Sequence, residues 1–106
     1  MNDWGIPKEV EEIVLVRDRT CAYCNIEMLE RKPKSGSLKT VATWEHVIND
    51  LSDVSVANIV RCCWSCNSSK GDRDIRDWLN GRYCADKSIT AATVSPTVKA
   101  VLERLA

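Results

Sequence analysis

The chain of 106 residues contains no phenylalanine and a single histidine, and its fifteen basic and fifteen acidic side chains cancel. Without Phe, a domain this size draws its large apolar groups from tryptophan, tyrosine and the aliphatics, and its core is limited in any case. A net charge of zero gives no overall support for a nucleic-acid partner. One histidine, His46, is the only side chain whose ordinary pKa lies near neutrality. No apolar run approaches the length of a membrane span, so no membrane partner is expected. The N-terminus, Met1-Asn2-Asp3-Trp4, has no basic region followed by an apolar run, which argues against a secretory signal. There is no internal repeat and no low-complexity tract. The length fits one domain, residues 1–106, and not two.

What is present in number is cysteine. Cys21-Ala22-Tyr23-Cys24 and Cys63-Trp64-Ser65-Cys66 are C-x-x-C pairs on either side of the histidine. Six cysteines admit disulfides or metal. The doublets are metal spacing in a reduced compartment, so a cytoplasmic location and a structural zinc on Cys21, Cys24, Cys63 and Cys66 are expected. Cys62 and Cys84 fall outside the pattern and read as small buried thiols. A metal would also stabilise a fold with so modest a core. A thiol redox protein is a weaker reading of the same doublets.

Pro7 opens a helical stretch over about residues 7–18, with Val10, Ile13, Val14 and Arg17 on one face. The first cysteine pair should form a tight knuckle. Residues 26–31 admit a helical turn or a short strand. Pro33, Ser35, Gly36 and Ser37 mark a loop. Thr40 to His46 alternates, with Val41, Thr43 and Glu45 on one side and Ala42, Trp44 and His46 on the other, as in a strand. Ile59-Val60 reads as a second, antiparallel strand. From about Ser65 the pattern turns helical through Trp78 and Leu79, with Gly81 placed to end it. A last helix covers about residues 95–105, with Ser95 as N-cap, Pro96 at its first position and a stripe of Val98, Val101, Leu102 and Leu105 that packs on the core or on a second copy of the chain. Trp44, Trp64 and Trp78 are assigned to the core.

Charge is unevenly placed. Arg31, Lys32, Lys34 and Lys39 form one basic stretch with no acid between them. Arg61, Lys70, Arg73, Arg76 and Arg82 form another, diluted by Asp72, Asp74 and Asp77. Both flank the histidine segment, which favours contact with phosphates. Lys70 shares a helix face with Asn67, three positions earlier, and is expected to meet a phosphate; Arg73 and Arg76 are further candidates.

Glu45 and Asn67 offer oxygen ligands of the kind that suit Mg²⁺ or Mn²⁺. His46 can take a proton from water. Asn58 can hold the loop after His46 or the ring itself. Together they are an inventory for metal-assisted phosphodiester hydrolysis. The ordered set Cys21-x-x-Cys24, Glu45-His46-Val47, Asn58-Ile59-Val60 and Cys63-x-x-Cys66-Asn67-Ser68-Ser69-Lys70-Gly71 resembles the HNH endonucleases over about residues 20–80. The resemblance implies an α+β fold: a small ββα-metal, treble-clef-like domain with a structural zinc and flanking N- and C-terminal helices. It implies Glu45 and Asn67 as ligands of the catalytic cation, His46 as general base and Asn58 as the middle asparagine. The substrate class it implies is DNA, cut to 3′-hydroxyl and 5′-phosphate ends.

Three departures from the family pattern stand out. Glu45 occupies a position more usually Asp or His, Asn67 one often filled by His, and the loop from His46 to Asn58 lacks the usual Gly-Gly turn. A monomer with one site would nick a single strand. Double-strand cutting would take a homodimer or two events, and a separate specificity subunit is compatible with the sequence. The competing reading is a non-catalytic zinc-stabilised module that binds DNA or a protein.

Overall fold

The computed structural model describes residues 1–106. Seven elements follow one another: α1 (Lys8–Arg17), β1 (Ala42–His46), β2 (Ile59–Cys63), α2 (Trp64–Lys70), α3 (Ile75–Leu79), α4 (Arg82–Lys87) and α5 (Pro96–Leu105). The fold is a small α+β arrangement of five helices about one two-stranded antiparallel sheet. No helix is long and apolar enough to cross a membrane.

The hairpin pairs Ala42 with Cys63, Trp44 with Arg61, and His46 with Ile59, with no bulge. Strand alternation therefore sorts the side chains onto two faces. Thr43 and Glu45 of β1 turn inward with Val60 and Cys62 of β2, all buried. Trp44 and His46 share the other face with Arg61 and Ile59. Each face has its own cover. Helix α2 lies across the inner one, where the Asn67 amide donates to Thr43 Oγ1 at 2.9 Å. On the outer face Ile59 packs with Ile6 and Val14, flanked by Val10, Trp44 and Val54.

Pro7 sits just before α1, and Glu9, Glu11 and Arg17 complement the helix dipole. The apolar face differs from the expected one. Val14 is buried, whereas Ile13 is 53% exposed, because the helix meets the sheet along a narrow line. Residues 26–31 form neither a helix nor a full strand; two isolated bridges, Thr20 with Glu27 and Leu29 with Val41, hold them.

The helix expected from Ser65 to Leu79 is broken. Gly71 adopts φ 52°, in the left-handed region that favours glycine, and ends α2 after Lys70. Asp74 then caps α3 by accepting from the Arg76 amide at 2.8 Å. Ser95 caps α5 in the same manner through Val98, and Pro96 starts the helix. Val98 and Val101 of α5 belong to the main core.

Tyr23 and Trp78 supply the aromatic bulk there, edge to face with centroids 4.9 Å apart. Trp78 is buried, Trp44 half-buried, and Trp64 is 42% exposed, so Trp64 is not a core residue. It occupies the first position of α2, where the side chain points away from the sheet-facing side carried by Cys66, Asn67 and Lys70.

Candidate functional site

The two cysteine pairs meet at the Ala42–Cys63 end of the hairpin. The sulfurs of Cys21, Cys24, Cys63 and Cys66 all lie within 4.8 Å of one another. Cys24 and Cys63 are 3.7 Å apart, close to the edge of about 3.8 Å in a tetrahedron with Zn–S bonds near 2.3 Å. Each knuckle also turns an amide toward its first sulfur: Cys24 N to Cys21 Sγ and Cys66 N to Cys63 Sγ, both at 3.4 Å. Tyr23 follows Ala22 within the first knuckle, and the Tyr83 hydroxyl reaches Cys66 Sγ at 3.4 Å.

Four thiols this close cannot all ionise unaided. Hydrogen bonds from Cys24, Cys63 and Cys66 hold the Cys21 thiol far below its usual value, and the same contacts push Cys63 and Cys66 far above theirs. A divalent cation resolves that conflict, so donor type, spacing and geometry are consistent with a structural zinc. Cys62 is not part of the cluster; it turns to the inner face, 3.5 Å from Thr43 Oγ1, and burial raises its pKa. Cys84 is buried elsewhere.

The other end of the hairpin carries the remaining candidates. Glu45 Oε2 lies 3.3 Å from Lys70 Nζ, and the Tyr23 hydroxyl donates to the same oxygen at 3.3 Å. Burial raises the Glu45 pKa above the ordinary carboxylate range, with Lys70 pulling it back down. The Lys70 side chain is 0% exposed. Its ammonium also reaches the His46 carbonyl at 3.3 Å and Asn49 Oδ1 at 3.4 Å, so its three protons have three acceptors. The expectation that Lys70 meets a phosphate is thereby corrected. The helix face it shares with Asn67 is the one packed on the sheet, and its charge is spent on Glu45.

Asn67, half-buried on α2, gives its amide protons to Thr43 Oγ1 and to the Trp44 carbonyl at 3.2 Å. Its oxygen is left over as a ligand atom. Asn58 is fully buried and clamps the loop after His46. It accepts from the Ile48 amide at 2.8 Å and donates to the carbonyls of Ile48 and Asp53, both at 3.1 Å. Asn58 thus touches the loop rather than the imidazole.

His46 ends β1 and, with no bulge to turn it, points to the face opposite Glu45. Its Nε2 is buried and has no hydrogen-bond partner. Burial lowers its pKa, with Lys70 acting in the same sense and Asp53 and Asp50 opposing. Burial thus favours the neutral ring, and Nε2 has no partner within the chain.

Arg73 is exposed. Arg76 is exposed but engaged, with Asp74 at 3.0 Å and the Leu105 carbonyl at 3.2 Å. Its guanidinium draws the Asp74 pKa down to about 2. A surface cleft of about 650 Å³ lies between the Val56–Ala57 segment and α5 and shares no residue with this set.

Glu45, Lys70 and Tyr23 are thus in direct contact, Asn67 lies beside them along β1, Asn58 holds the adjoining loop, and His46 stands on the reverse face. Tyr23 and Asn49 are the members that sequence reasoning missed. Tyr23 was within reach of it, since a residue inside a metal knuckle has a fixed backbone and points somewhere definite. Comparison of the chain with protein-family models, with curated proteins and with solved structures returned no match.

Proposed function

We propose that this chain is a metal-dependent DNA endonuclease of the HNH type, which hydrolyses phosphodiester bonds and nicks one strand per active site. The observation that carries the reading is the contact of Glu45 with Lys70, with Asn67 beside them on α2, at the hairpin end where His46 leaves β1 on the other face and Asn58 holds the following loop, in the sequence order that the motif resemblance implies. A scaffold gains little from burying a lysine with a carboxylate on one face of the hairpin and a partnerless imidazole nitrogen on the other. Such costs are commonest where chemistry is done.

In this reading His46, held neutral, removes the proton from the attacking water. Glu45 and Asn67 would hold Mg²⁺ or Mn²⁺, which would supply charge stabilisation at the scissile phosphate. Asn58 fixes the loop that carries His46. The thiol cluster would hold a zinc that ties the Cys21–Cys24 knuckle to the end of β2 and the start of α2.

One observation favours the second reading, a non-catalytic zinc-stabilised module that binds DNA or a protein. Glu45 already has an internal counter-ion in Lys70, so the pair is satisfied without a second metal.

Incubation with supercoiled plasmid separates the two. With Mg²⁺ or Mn²⁺ the protein should yield nicked circles, and His46→Ala should reduce the rate by about 100-fold or more while zinc content and melting stay put. Undiminished nicking by that variant would remove His46 from the mechanism; no nicking by the wild type would leave the binding module.

A further inference from the structure

Nine of the fifteen cations lie in two stretches of the chain. In the stretch from Arg61 to Arg82 nearly every charge is answered. Arg61 bonds Glu30 at 2.7 Å, Lys70 bonds Glu45, Arg76 bonds Asp74, and Arg82 lies 3.8 Å from Asp86. In the loop from Glu30 to Lys39 none is. Arg31, Lys32, Lys34 and Lys39 are all exposed, no acid lies between them, and none has a carboxylate within 4.0 Å. Six other cations without a carboxylate partner are scattered over the rest of the chain, so this loop is the densest group of unanswered positive charge.

That loop is a built feature. Leu29 N donates to the Thr40 carbonyl at 2.9 Å and Ala42 N to the Leu29 carbonyl at 2.8 Å, which closes its base. The Lys39 carbonyl accepts from Ser65 N at 3.1 Å, which docks its end on the start of α2. Lys39 and Lys87 line a cleft of about 330 Å³ together with Cys24 and Cys63, and Lys87 Nζ lies 5.2 Å from the Tyr83 ring centroid. Arg31, Lys32 and Lys34 do not line that cleft. Beside the docking point Trp64, whose amide bonds the Val41 carbonyl, stands 42% exposed.

Like charges crowded on one loop repel each other unless a polyanion meets them. We propose that Arg31, Lys32 and Lys34 bind the phosphate backbone of DNA, with Trp64 offering a stacking surface to an unpaired base. The identity of the polyanion rests on the endonuclease reading; the placement of the surface does not.

The test is fluorescence anisotropy with a labelled duplex and a labelled single strand of mixed sequence, over a series of salt concentrations, with no added divalent cation. Arg31→Ala/Lys32→Ala/Lys34→Ala should bind both about tenfold or more weakly and should flatten the slope of log K against log salt by about 2.7 for the duplex. A charge-matched control, Lys8→Ala/Lys99→Ala/Arg82→Ala, should change the slope far less. Trp64→Ala should weaken the single strand about fivefold or more and the duplex by less than about twofold. Zinc content, measured on each sample, verifies the fold. Equal slopes for the loop variant and the wild type, or no salt-sensitive binding by the wild type, would overturn the proposal. Binding lost in the loop variant, in a protein that never nicks plasmid, upholds this surface and removes the endonuclease reading. Full nicking and binding by the loop variant does the reverse.

Discussion

At the Ala42–Cys63 end of the hairpin, four cysteine sulfurs lie close enough together to hold a metal ion from outside the chain. At the His46–Ile59 end buried negative charge rests on one carboxylate, Glu45, and the chain provides its own counter-ion, Lys70. The first arrangement is four copies of one donor set by two turns of the same spacing. The second is Glu45, His46, Asn58, Asn67 and Lys70, from β1, α2 and the loop between the strands, each with a separate reason for its orientation. Like donors around an ion make a strong, exclusive site. Unlike groups packed together make a site whose charges can be traded.

The largest effect should come from the sulfur end. Cys66→Ser should remove most of the stabilisation that a structural zinc confers, on the order of 10 kcal/mol or more, and leave no cooperative thermal transition by circular dichroism. A wild-type melting curve at one zinc per chain would erase the contrast between the ends.

Next is Lys70→Met, which strands the Glu45 carboxylate and should cost about 3–5 kcal/mol in chemical denaturation. Adding Glu45→Gln should recover a large part of that loss. The same variant sharpens the functional question. If Glu45 accepts a divalent cation, millimolar Mn²⁺ should raise the stability of Lys70→Met more than that of the wild type. A flat response would take Glu45 out of the ligand set.

A smaller effect belongs to His46. As the only histidine it gives one Cε1–H resonance, which should titrate below the ~6.5 of a free imidazole because burial penalises the cation. The unfolded chain then takes up the proton first as pH falls. The associated stability is present above about 6.5 and is lost as pH drops through the folded value. A nicking rate governed by this group should rise with pH and level off above that same value. A midpoint above 6.5 would mean that Asp50 and Asp53 outweigh burial.

Smallest is Tyr23→Phe, which deletes the hydrogen bond to Glu45 while Lys70 remains. It should cost about 1 kcal/mol in chemical denaturation and leave zinc content unchanged. A cost near that of Lys70→Met would mean that Tyr23, not Lys70, is what makes burial of Glu45 tolerable.

The same contrast governs what could be read from the residues alone. Four cysteines in two C-x-x-C pairs disclose their cluster because ligand spacing is a local property. The alternation from Thr40 to His46 disclosed the faces of β1, and Ser95-Pro96 disclosed the start of α5. The fate of Lys70 was hidden. Its spacing from Asn67 placed both on one side of a helix, but nothing local says whether that side faces solvent or the sheet. The break at Gly71 was hidden for a related reason. A glycine inside a helical pattern is a mild penalty until the chain needs a left-handed residue, and Asp74 had to be recognised as a new cap.

With α1 against one face of the hairpin and α2 against the other, the two-stranded sheet keeps only its rim for the outside world. A long polymer has to approach this molecule side-on, and whatever it touches must sit where strands end or loops leave. The loop from Glu30 to Lys39 departs at one such place and the loop after His46 at another. They lie at opposite ends of β1, five residues apart along the strand, or about 17 Å when extended. A partner that engages both must therefore span several of its own repeating units, which sets a minimum length below which grip and chemistry would come uncoupled.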